Sequence, residues 1–153
     1  MNLRPYQPDD FETLYKIEEI CFTPAYRFSR RLMRQLVRGA NRATWMAEVD
    51  GALAGFIIVE WSREENLLAA YLHTLEVLPA ERGLGLGKAL LDAAEESARK
   101  AKADLVWLHV EEKNQAAIRL YERAGFHPVG REENYYPEKK AALVYLKRLA
   151  EVL

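Results

Sequence analysis

The sequence predicts a mixed α/β fold, in which a mostly antiparallel sheet carries helices on both faces. Segments with strand and helix patterns follow one another in the order β-α-α-β-β-β-α-β-α-β-β, without repeats or linkers between them. The eight residues ADLVWLHV, at 103–110, are nearly all apolar, which is typical of a strand covered on both faces. A length of 153 residues suits one domain spanning 1–153, with the sheet packed between helical layers.

The N-terminal third is predicted to contain one strand and two helices. Residues 2–7 can form the strand, and Asp9 with the glutamate three positions later makes a capping-box pattern that opens the first helix. Pro24 ends this helix, because proline disfavours helical geometry at the preceding residue. A second helix begins at about Ser29 and stops at Gly39, since glycine is favoured just past a helix end. The first helix has one apolar face, formed by Phe11, Leu14, Ile17 and Cys21.

The middle of the chain is predicted to form antiparallel strands followed by the longest helix. Asp50-Gly51 is a strong signal for a tight hairpin between the strands TWMAEV and ALAGFIIVEW, and the strand at 67–78 continues the run. The helix after the glycine-rich segment is expected to turn Glu95 toward solvent, where it supports the helix through an i,i+4 pair. The apolar side of this helix is assigned to Leu86, Ala89, Leu90, Ala93 and Ser97.

The C-terminal third is predicted to add the apolar strand, a short helix and two further strands. Asn114 caps this helix at its start, and Gly125 closes it, with Phe126 as the hydrophobic residue that commonly follows such a glycine. The segments FHPVGRE and KAALVYLKRL can then supply the last two strands of the sheet.

Composition and charge argue against several classes of function. The formal net charge is -1 at pH 7, whereas a general nucleic-acid binder is strongly basic, so no nucleic acid is expected as a partner. The N-terminus lacks the apolar core of a signal peptide, and no apolar run is long enough to cross a bilayer, so no membrane partner is expected. A lone cysteine, Cys21, cannot form an internal disulfide, which favours a cytoplasmic location.

The glycine-rich segment AERGLGLGK, at 80–88, is the first candidate for a ligand site. It fails the P-loop pattern, which needs glycine where Arg82 stands and serine or threonine where Ala89 stands. It also fails the dinucleotide fingerprint in both registers. The free amides and the positive dipole end of the following helix nevertheless suit an anion, and glycines let an anion approach closely. Because Arg82 and Lys88 add positive charge, a diphosphate ligand is preferred over a purely steric role for the glycines.

Two motifs, RGLGLG at 82–87 and NQAAIRLYERAGF at 114–126, together resemble one enzyme family. The first resembles the R/Q-x-x-G-x-G/A loop, and the second the helical hallmark, of the GNAT superfamily of N-acetyltransferases. The resemblance implies a GNAT fold with splayed central strands and acetyl-CoA as cofactor. The diphosphate would lie on the loop, and the pantetheine arm would pair with the strand end at Leu75 and Val77. The implied cofactor contacts are Leu75, Val77, Arg82, Gly83, Leu84, Gly85, Leu86, Gly87, Lys88, Asn114 and Tyr121.

The segments LHVEEKNQAAIRLY and ENYYPE are similar to those of the N-terminal (Nα) acetyltransferases, including the ribosomal-protein-alanine acetyltransferases. In that group a Tyr-Tyr hairpin and an aromatic loop between the first two helices clamp the first residues of the substrate. A protein N-terminus or peptide is therefore the implied substrate. His73 joins this slot because strand alternation puts it on the face of Tyr71. The expected substrate contacts are Phe22, Tyr26, His73, Tyr135 and Tyr136.

Acetyl transfer to an amine needs a base, stabilisation of the carbonyl oxyanion and an acid for the leaving thiolate. The ribosomal-protein enzymes carry glutamate where this chain has His109, but a branch of their eukaryotic relatives has histidine there and tyrosine one strand away, as at Tyr71. His109 and Tyr71 are therefore the base candidates, acting through water, and a free imidazole is mostly unprotonated at pH 7. Tyr121 matches the tyrosine that protonates the thiolate or holds its sulfur. Strand alternation puts Glu76, the other candidate base, on the face opposite Tyr71.

Direct acetyl transfer to the α-amine of a protein N-terminus is the activity expected from these residues. The reference pKa values of an α-amine and a lysine, near 8 and 10.4, differ by about 2.5 units, or roughly 3.4 kcal/mol of deprotonation cost at neutral pH. A neutral histidine meets the smaller cost more readily. Two alternatives stay open: a GNAT enzyme for lysine side chains or small amines, and a non-catalytic acyl-CoA-binding regulator. No metal site is predicted, and the oligomeric state stays open.

Overall fold

A computed structural model describes residues 1–149, which form one seven-stranded sheet with helices on both faces. In chain order the strands are β1 (Asn2–Pro5), β2 (Arg42–Val49), β3 (Ala52–Glu64), β4 (Leu67–Val77), β5 (Leu105–Glu111), β6 (His127–Tyr136) and β7 (Lys140–Arg148). Across the sheet they are ordered β1-β2-β3-β4-β5-β7-β6, and β4 runs parallel to β5 while the other neighbours are antiparallel. The predicted sheet is thus confirmed, while residues 150–153 of the predicted domain lie outside the described residues.

Four α-helices cover the two faces of this sheet in the described part of the chain. They are α1 (Phe11–Cys21), α2 (Arg30–Leu36), α3 (Leu86–Lys100) and α4 (Gln115–Arg123). The sheet, α3 and α4 enclose the larger apolar cluster, and the sheet, α1 and α2 enclose the smaller one. In β3, Ile57 enters the larger cluster and Ile58 the smaller one, as the two-residue alternation of a strand requires. No helix in residues 1–149 is long and apolar enough to span a bilayer.

The start of α1 differs from the prediction. Asp9 does not cap the helix, because a short 3-10 turn at Pro8–Asp10 precedes it and puts Asp10 at the capping position. The Asp10 carboxylate accepts a hydrogen bond from the N–H of Gln7 and one from each terminal nitrogen of Arg4, all at 2.8 Å. The Arg4 guanidinium is the main reason that the pKa of Asp10 lies below its usual value. This charged contact ties the start of α1 to β1.

Helix α2 begins where the sequence predicts but ends earlier. Ser29 caps it through its hydroxyl oxygen, which accepts a hydrogen bond from an N–H of the first turn at 3.1 Å. The last helical residue is Leu36, somewhat earlier than a stop at Gly39 would give, and the Arg42 guanidinium donates to two carbonyl oxygens, one in the last turn and one just past it. The following hairpin forms as predicted, since Asp50 and Gly51 have the positive φ values, 52° and 80°, that a type I′ turn needs.

The buried face of α3 is rotated slightly from the predicted one. Leu86 and Leu90 are buried as predicted, whereas the other three residues assigned to that side are only partly buried. Glu95 was expected in solvent but is 3% exposed, and its carboxylate lies 2.6 Å from the Nζ of Lys147 on β7. A buried carboxylate needs such a partner, and the partner comes from a distant strand. The buried side is completed by Leu91, Ala94 and Ala98.

A bulge in β4 changes which side chains face each side of the sheet. Two consecutive residues of β3 pair with Leu72 and Thr74, so His73 has no partner in this register. The extra residue reverses the alternation of side chains beyond it. Tyr71 before the bulge and Glu76 after it therefore lie on the same face, toward α1. The prediction that Glu76 lies opposite Tyr71 was wrong for this reason.

Strands β4 and β5 separate soon after they pair. Their parallel register joins Ala69–Tyr71 to Leu105–Trp107 and extends no further within the described residues. One end of this short contact is fastened by Asp104, which donates its backbone N–H to the carbonyl of Leu68 and accepts the Leu68 N–H at its carboxylate. Beyond Tyr71, β4 stays paired with β3, and β5 stays paired with β7. The predicted splay of the central strands is confirmed.

Candidate active site

Two cavities open beside the gap between β4 and β5. The first, of about 740 Å³, lies between residues 81–88 and α4, and we call it the loop pocket. The second, of about 720 Å³, lies among residues 25–28, β4, β5 and residues 135–137, and we call it the aromatic pocket. The two pockets share lining residues, so they meet at the gap. These shared residues are Phe22, Leu75, Asn114, Ala117 and Tyr121.

The turn before α3 exposes backbone amides, because two of its glycines adopt left-handed conformations. Gly83 has a φ of 83°, and Gly85, which caps the helix, has a φ of 87°. The N–H of Ala89 makes the first helical bond, to the Gly85 carbonyl, so the N–H groups at 86–88 have no acceptor in the helix. A β-carbon at either of the two glycines would meet no atom of the described residues within 4 Å. Open space over free amides at a helix N-terminus fits a diphosphate.

Positive side chains surround the loop pocket. Arg82 donates from Nε to the carbonyl oxygen of Val77 at 2.9 Å, and the Nζ of Lys88 lies 2.8 Å from a carboxylate one turn along α3. Both contacts are exposed and of small energetic value, so they leave the two cations available to an anion. Arg119 and Arg123, which the sequence did not single out, also line the pocket. Their spacing of four residues puts both on one face of α4, and this spacing could have been used to predict them from the sequence.

The end of β4 forms one wall of the loop pocket. Leu75 and Val77 line this wall, because the bulge turns them toward the side of α3 and α4. Here β4 pairs with β3 but not with β5, so its second edge offers backbone groups to an extended ligand. Asn114 accepts the N–H of Ala117 at 3.2 Å, so its capping role is confirmed and its amide nitrogen is left for a ligand. Of the predicted cofactor contacts, all line the loop pocket except Leu84, which is exposed on the turn.

Tyr121 stands where the two pockets meet. It lies on α4, is 7% exposed, and packs edge-on against Phe126 with ring centroids 5.7 Å apart. Burial raises the pKa of Tyr121, so its hydroxyl stays protonated at neutral pH and is available as a donor. An ordinary thiol has a pKa of about 8.5, below that of an ordinary phenol. Hydrogen-bond donation to a thiolate is therefore easier for Tyr121 than complete proton transfer.

The aromatic pocket holds the two base candidates as a hydrogen-bonded pair. The hydroxyl of Tyr71 on β4 lies 2.8 Å from Nδ1 of His109 on β5. Burial raises the pKa of Tyr71, so this hydroxyl remains protonated and is the donor. Trp107, which strand alternation could have placed beside His109, packs on Tyr71 with ring centroids 4.6 Å apart. The His109 side chain is 9% exposed and stacks on Tyr135 with ring centroids 4.1 Å apart.

Aromatic side chains from distant segments close the aromatic pocket. Tyr26 donates from its hydroxyl to the carbonyl oxygen of Pro137 at 3.1 Å, and its ring centroid lies 6.5 Å from that of Tyr136. This contact joins the α1–α2 connection to the turn after β6, across the pocket. His73 packs edge-on against Tyr71 with ring centroids 4.9 Å apart. All the predicted substrate contacts line this pocket, namely Phe22, Tyr26, His73, Tyr135 and Tyr136.

A buried pair of carboxyl groups lies behind the aromatic pocket. Glu18 on α1 accepts the N–H of Phe28 at 2.9 Å, and Glu76 accepts the hydroxyl of Thr74 at 2.7 Å, while each has a second buried oxygen without a hydrogen-bond partner among residues 1–149. Burial, and then the neighbouring Glu18 carboxyl, raise the pKa of Glu76 far above its usual value. This shift favours the neutral carboxyl and argues against Glu76 as the base. Glu18 could have been noticed, because it occupies an apolar-face position of α1, four residues after Leu14.

Comparisons with known proteins find relatives over most of the chain. A family model described as the Acetyltransferase (GNAT) family matches residues 10–126. A ribosomal protein bS18-alanine N-acetyltransferase of Haemophilus influenzae is 33% identical over 129 residues, covering 84% of this chain and 83% of that relative. The crystal structure of the Escherichia coli ribosomal-protein-S18-alanine N-acetyltransferase matches 99% of this chain and 96% of that chain, with a TM-score of 0.86 and 25% identity. Arabidopsis thaliana NAA60 in complex with acetyl-CoA has the same fold, with a TM-score of 0.84 and 24% identity over 97% of this chain and 98% of that one.

Proposed function

Because the chain belongs to the GNAT family of acetyltransferases, we propose that it transfers the acetyl group of acetyl-CoA to the α-amine of a protein N-terminus. The observation that carries this proposal is the meeting of the loop pocket and the aromatic pocket at Tyr121. One pocket has the features that a diphosphate needs, and the other contains a hydrogen-bonded tyrosine and histidine. A thioester and an amine can therefore approach each other at the gap between β4 and β5.

The loop pocket would bind acetyl-CoA, which supplies the thioester carbonyl that the amine attacks. The amides at 86–88 would hold the diphosphate, with Arg82 and Lys88 adding charge. The unpaired edge of β4 near Leu75 and Val77 would bind the pantetheine arm, as a partner strand would. This edge also supplies backbone N–H groups that can stabilise the oxyanion formed on attack.

The side chains at the gap would move the protons of the reaction. Tyr71 and His109 together form the base unit that takes a proton from the amine. Tyr121 would donate a hydrogen bond to the coenzyme sulfur as the C–S bond breaks. Its raised pKa supports this role over that of a complete proton donor, because the proton of so weak an acid is not readily lost to a thiolate.

The shape of the aromatic pocket supports a chain end as the substrate. The bridge from Tyr26 to Pro137 crosses the pocket, and the end of a chain can enter beneath such a bridge more readily than the middle of a folded chain. The lower deprotonation cost of an α-amine, about 2.5 pKa units below that of a lysine, favours the same substrate. A cytoplasmic location and a single domain over 1–153 remain predictions from the sequence.

Thiol release from acetyl-CoA tests the proposed function. The acceptors are a lysine-free peptide with a free α-amine, the same peptide with its N-terminus blocked and one lysine added, and a polyamine. Turnover with the first acceptor alone is expected. Turnover restricted to the lysine peptide or the polyamine would overturn the choice of substrate. Tight coenzyme binding without turnover on any acceptor would instead indicate a non-catalytic acyl-CoA-binding regulator.

A further inference from the structure

Both ring nitrogens of His109 are engaged or buried, which limits how this residue can act. Nδ1 faces the Tyr71 hydroxyl at 2.8 Å. Nε2 is buried and lies 3.2 Å from Oε1 of Glu132 on β6, without the alignment of a full hydrogen bond to any described group. Neither nitrogen therefore offers a free lone pair to an amine or a water molecule in the aromatic pocket.

The neighbours of this imidazole select one of its two tautomers. A neutral imidazole carries one proton, on either Nδ1 or Nε2. With the proton on Nδ1, the Nε2 lone pair would face the Glu132 carboxylate at 3.2 Å, which is an unfavourable contact between two acceptors. With the proton on Nε2, an N–H faces that carboxylate while Nδ1 accepts from Tyr71. The titratable groups that face the ring are Tyr71 on β4 and Glu132 and Tyr135 on β6, and Val144 is its cross-strand neighbour on β7.

We propose that Glu132 is a positioning residue for acetyl transfer, which completes a relay of Tyr71, His109 and Glu132. This proposal rests on the proposed function, because it assigns a further group to the same reaction. Glu132 favours the Nε2–H tautomer and stabilises the positive charge that the imidazole acquires when it takes a proton. The Glu132 side chain is 50% exposed, so it has room to rotate into full hydrogen-bond alignment with Nε2.

The relay makes the Tyr71 oxygen the atom that meets the incoming amine. As the amine nitrogen bonds the thioester carbonyl carbon, its proton passes to the Tyr71 oxygen, and the Tyr71 hydroxyl proton passes to Nδ1 of His109. The C–S bond then breaks, and the coenzyme leaves as a thiolate that takes one proton from solvent. The Nδ1 proton returns through the Tyr71 hydroxyl to solvent, which restores the Nε2–H form, so the products are the acetylated amine and the free thiol.

The neighbouring glutamate gives a matched control. Glu133 follows Glu132 on β6 and contacts the Arg131 guanidinium instead of His109. Both glutamates are exposed and both substitutions to glutamine remove one negative charge from the same strand. An effect of Glu132→Gln that Glu133→Gln does not reproduce therefore reports the contact with the imidazole rather than the change of net charge.

Nitrogen-15 NMR of the imidazole side chains tests the relay without any turnover. The chain has 3 histidines, so the His109 signals can be assigned from a His109→Gln variant. In the wild-type protein at neutral pH, His109 is expected to be in the Nε2–H form. Glu132→Gln is expected to increase the Nδ1–H population, and Glu133→Gln is expected to leave it unchanged. A wild-type His109 in the Nδ1–H form, or a tautomer that is insensitive to Glu132→Gln, would overturn the proposal.

Steady-state kinetics give the second test. Loss of the half-exposed carboxylate in Glu132→Gln should lower kcat about tenfold at neutral pH, with both KM values within about twofold of wild type. Glu133→Gln should reproduce the wild-type kcat and KM values. An unchanged kcat in Glu132→Gln would overturn the relay. An inactive wild-type protein would instead contradict the proposed function, while the NMR result would still decide the tautomer.

Discussion

The loop pocket and the aromatic pocket differ in what builds them, although they share the same gap. The loop pocket is formed mainly by backbone, with two left-handed glycines, free amides at the start of α3 and the open edge of β4. The aromatic pocket is formed by side chains from segments as far apart as Tyr26 and Pro137. Side-chain substitutions should therefore damage the aromatic pocket most, whereas the loop pocket should be most sensitive to changes of backbone conformation.

The largest loss of activity is expected from a substitution in the aromatic pocket. His109→Ala removes the proton acceptor of the base unit, so kcat should fall about 100-fold or more near neutral pH, within the usual range for general acid–base catalysis. The deficit should shrink at high pH, because hydroxide can then accept the proton that the attacking amine loses. The measurement is kcat as a function of pH, together with the Kd of the coenzyme, which should stay near the wild-type value.

The matched control for this variant is His127→Ala, because His127 is exposed on β6 and lies outside both pockets. It should retain the wild-type pH profile. A wild-type profile for His109→Ala would move the base role to another group. A large loss of coenzyme affinity in His109→Ala would contradict the assignment of coenzyme binding to the loop pocket and of proton transfer to the aromatic pocket.

The next effect is expected in the loop pocket. Gly85→Val puts a β-branched residue at a φ of 87°, which costs about 1–3 kcal/mol in that conformation and should displace the amides that follow. Coenzyme Kd, measured by calorimetry, should weaken about 10- to 100-fold if this cost falls on the bound state. Gly51→Val is the control, since Gly51 has a φ of 80° and a β-carbon there would likewise meet no described atom within 4 Å.

Gly51→Val should lower the Tm without changing the coenzyme Kd. If both glycine variants bind coenzyme as the wild type does, the backbone of the turn is not the binding surface. If both lose affinity to the same degree, the loss follows from general destabilisation and not from the turn.

The residues of the two pockets differ in how well they could be predicted from the sequence. The glycines, Asn114 and Tyr121 belong to contiguous motifs whose local geometry follows from residue type, so the loop pocket could be predicted almost completely. No residue type near His73 indicates a bulge. The bulge placed Glu76 on the same face as Tyr71 and not on the predicted opposite face. The approach of Glu132 to His109 joins two strands that are not neighbours in the sheet, and no spacing in the sequence could indicate it.

A smaller effect should appear where the two pockets meet. Tyr121→Phe removes one hydroxyl, so kcat should fall about tenfold through the lost hydrogen bond to the leaving sulfur, with the KM for acetyl-CoA within about twofold of wild type. The control is Tyr145→Phe, because Tyr145 is a buried tyrosine of the same apolar cluster whose hydroxyl bonds Glu122 and not the pockets. Equal kinetic losses in both variants would assign Tyr121 to packing alone.

The smallest effect is expected behind the aromatic pocket, from Glu76→Gln. The folded-state pKa of Glu76 is raised above the unfolded value, so the unfolded chain releases a proton that the folded protein keeps. The stabilisation by the neutral carboxyl is thus fully present below about pH 4 and declines as pH rises toward the raised pKa. Glutamine stays neutral and can donate to Glu18, so the variant should gain roughly 2–4 °C in Tm at pH 8.

Thermal unfolding of the wild type and of Glu76→Gln at pH 5 and at pH 8 checks this prediction, since the gain in Tm should be larger at pH 8. Glu19→Gln is the control, because Glu19 is the exposed neighbour of Glu18 on the same helix. A Tm gain that is the same at both pH values would show that the Glu76 carboxyl does not hold its proton.

The short contact between β4 and β5 has a consequence for ligand binding. Strands β1 to β4 make one half-sheet and β5, β7 and β6 make another, and their shared register covers only Ala69–Tyr71 against Leu105–Trp107. Asp104 fastens one end of this seam to Leu68, at the end away from the gap. Because few interstrand hydrogen bonds join the two halves, an extended ligand can lie in the gap without breaking any strand pairing.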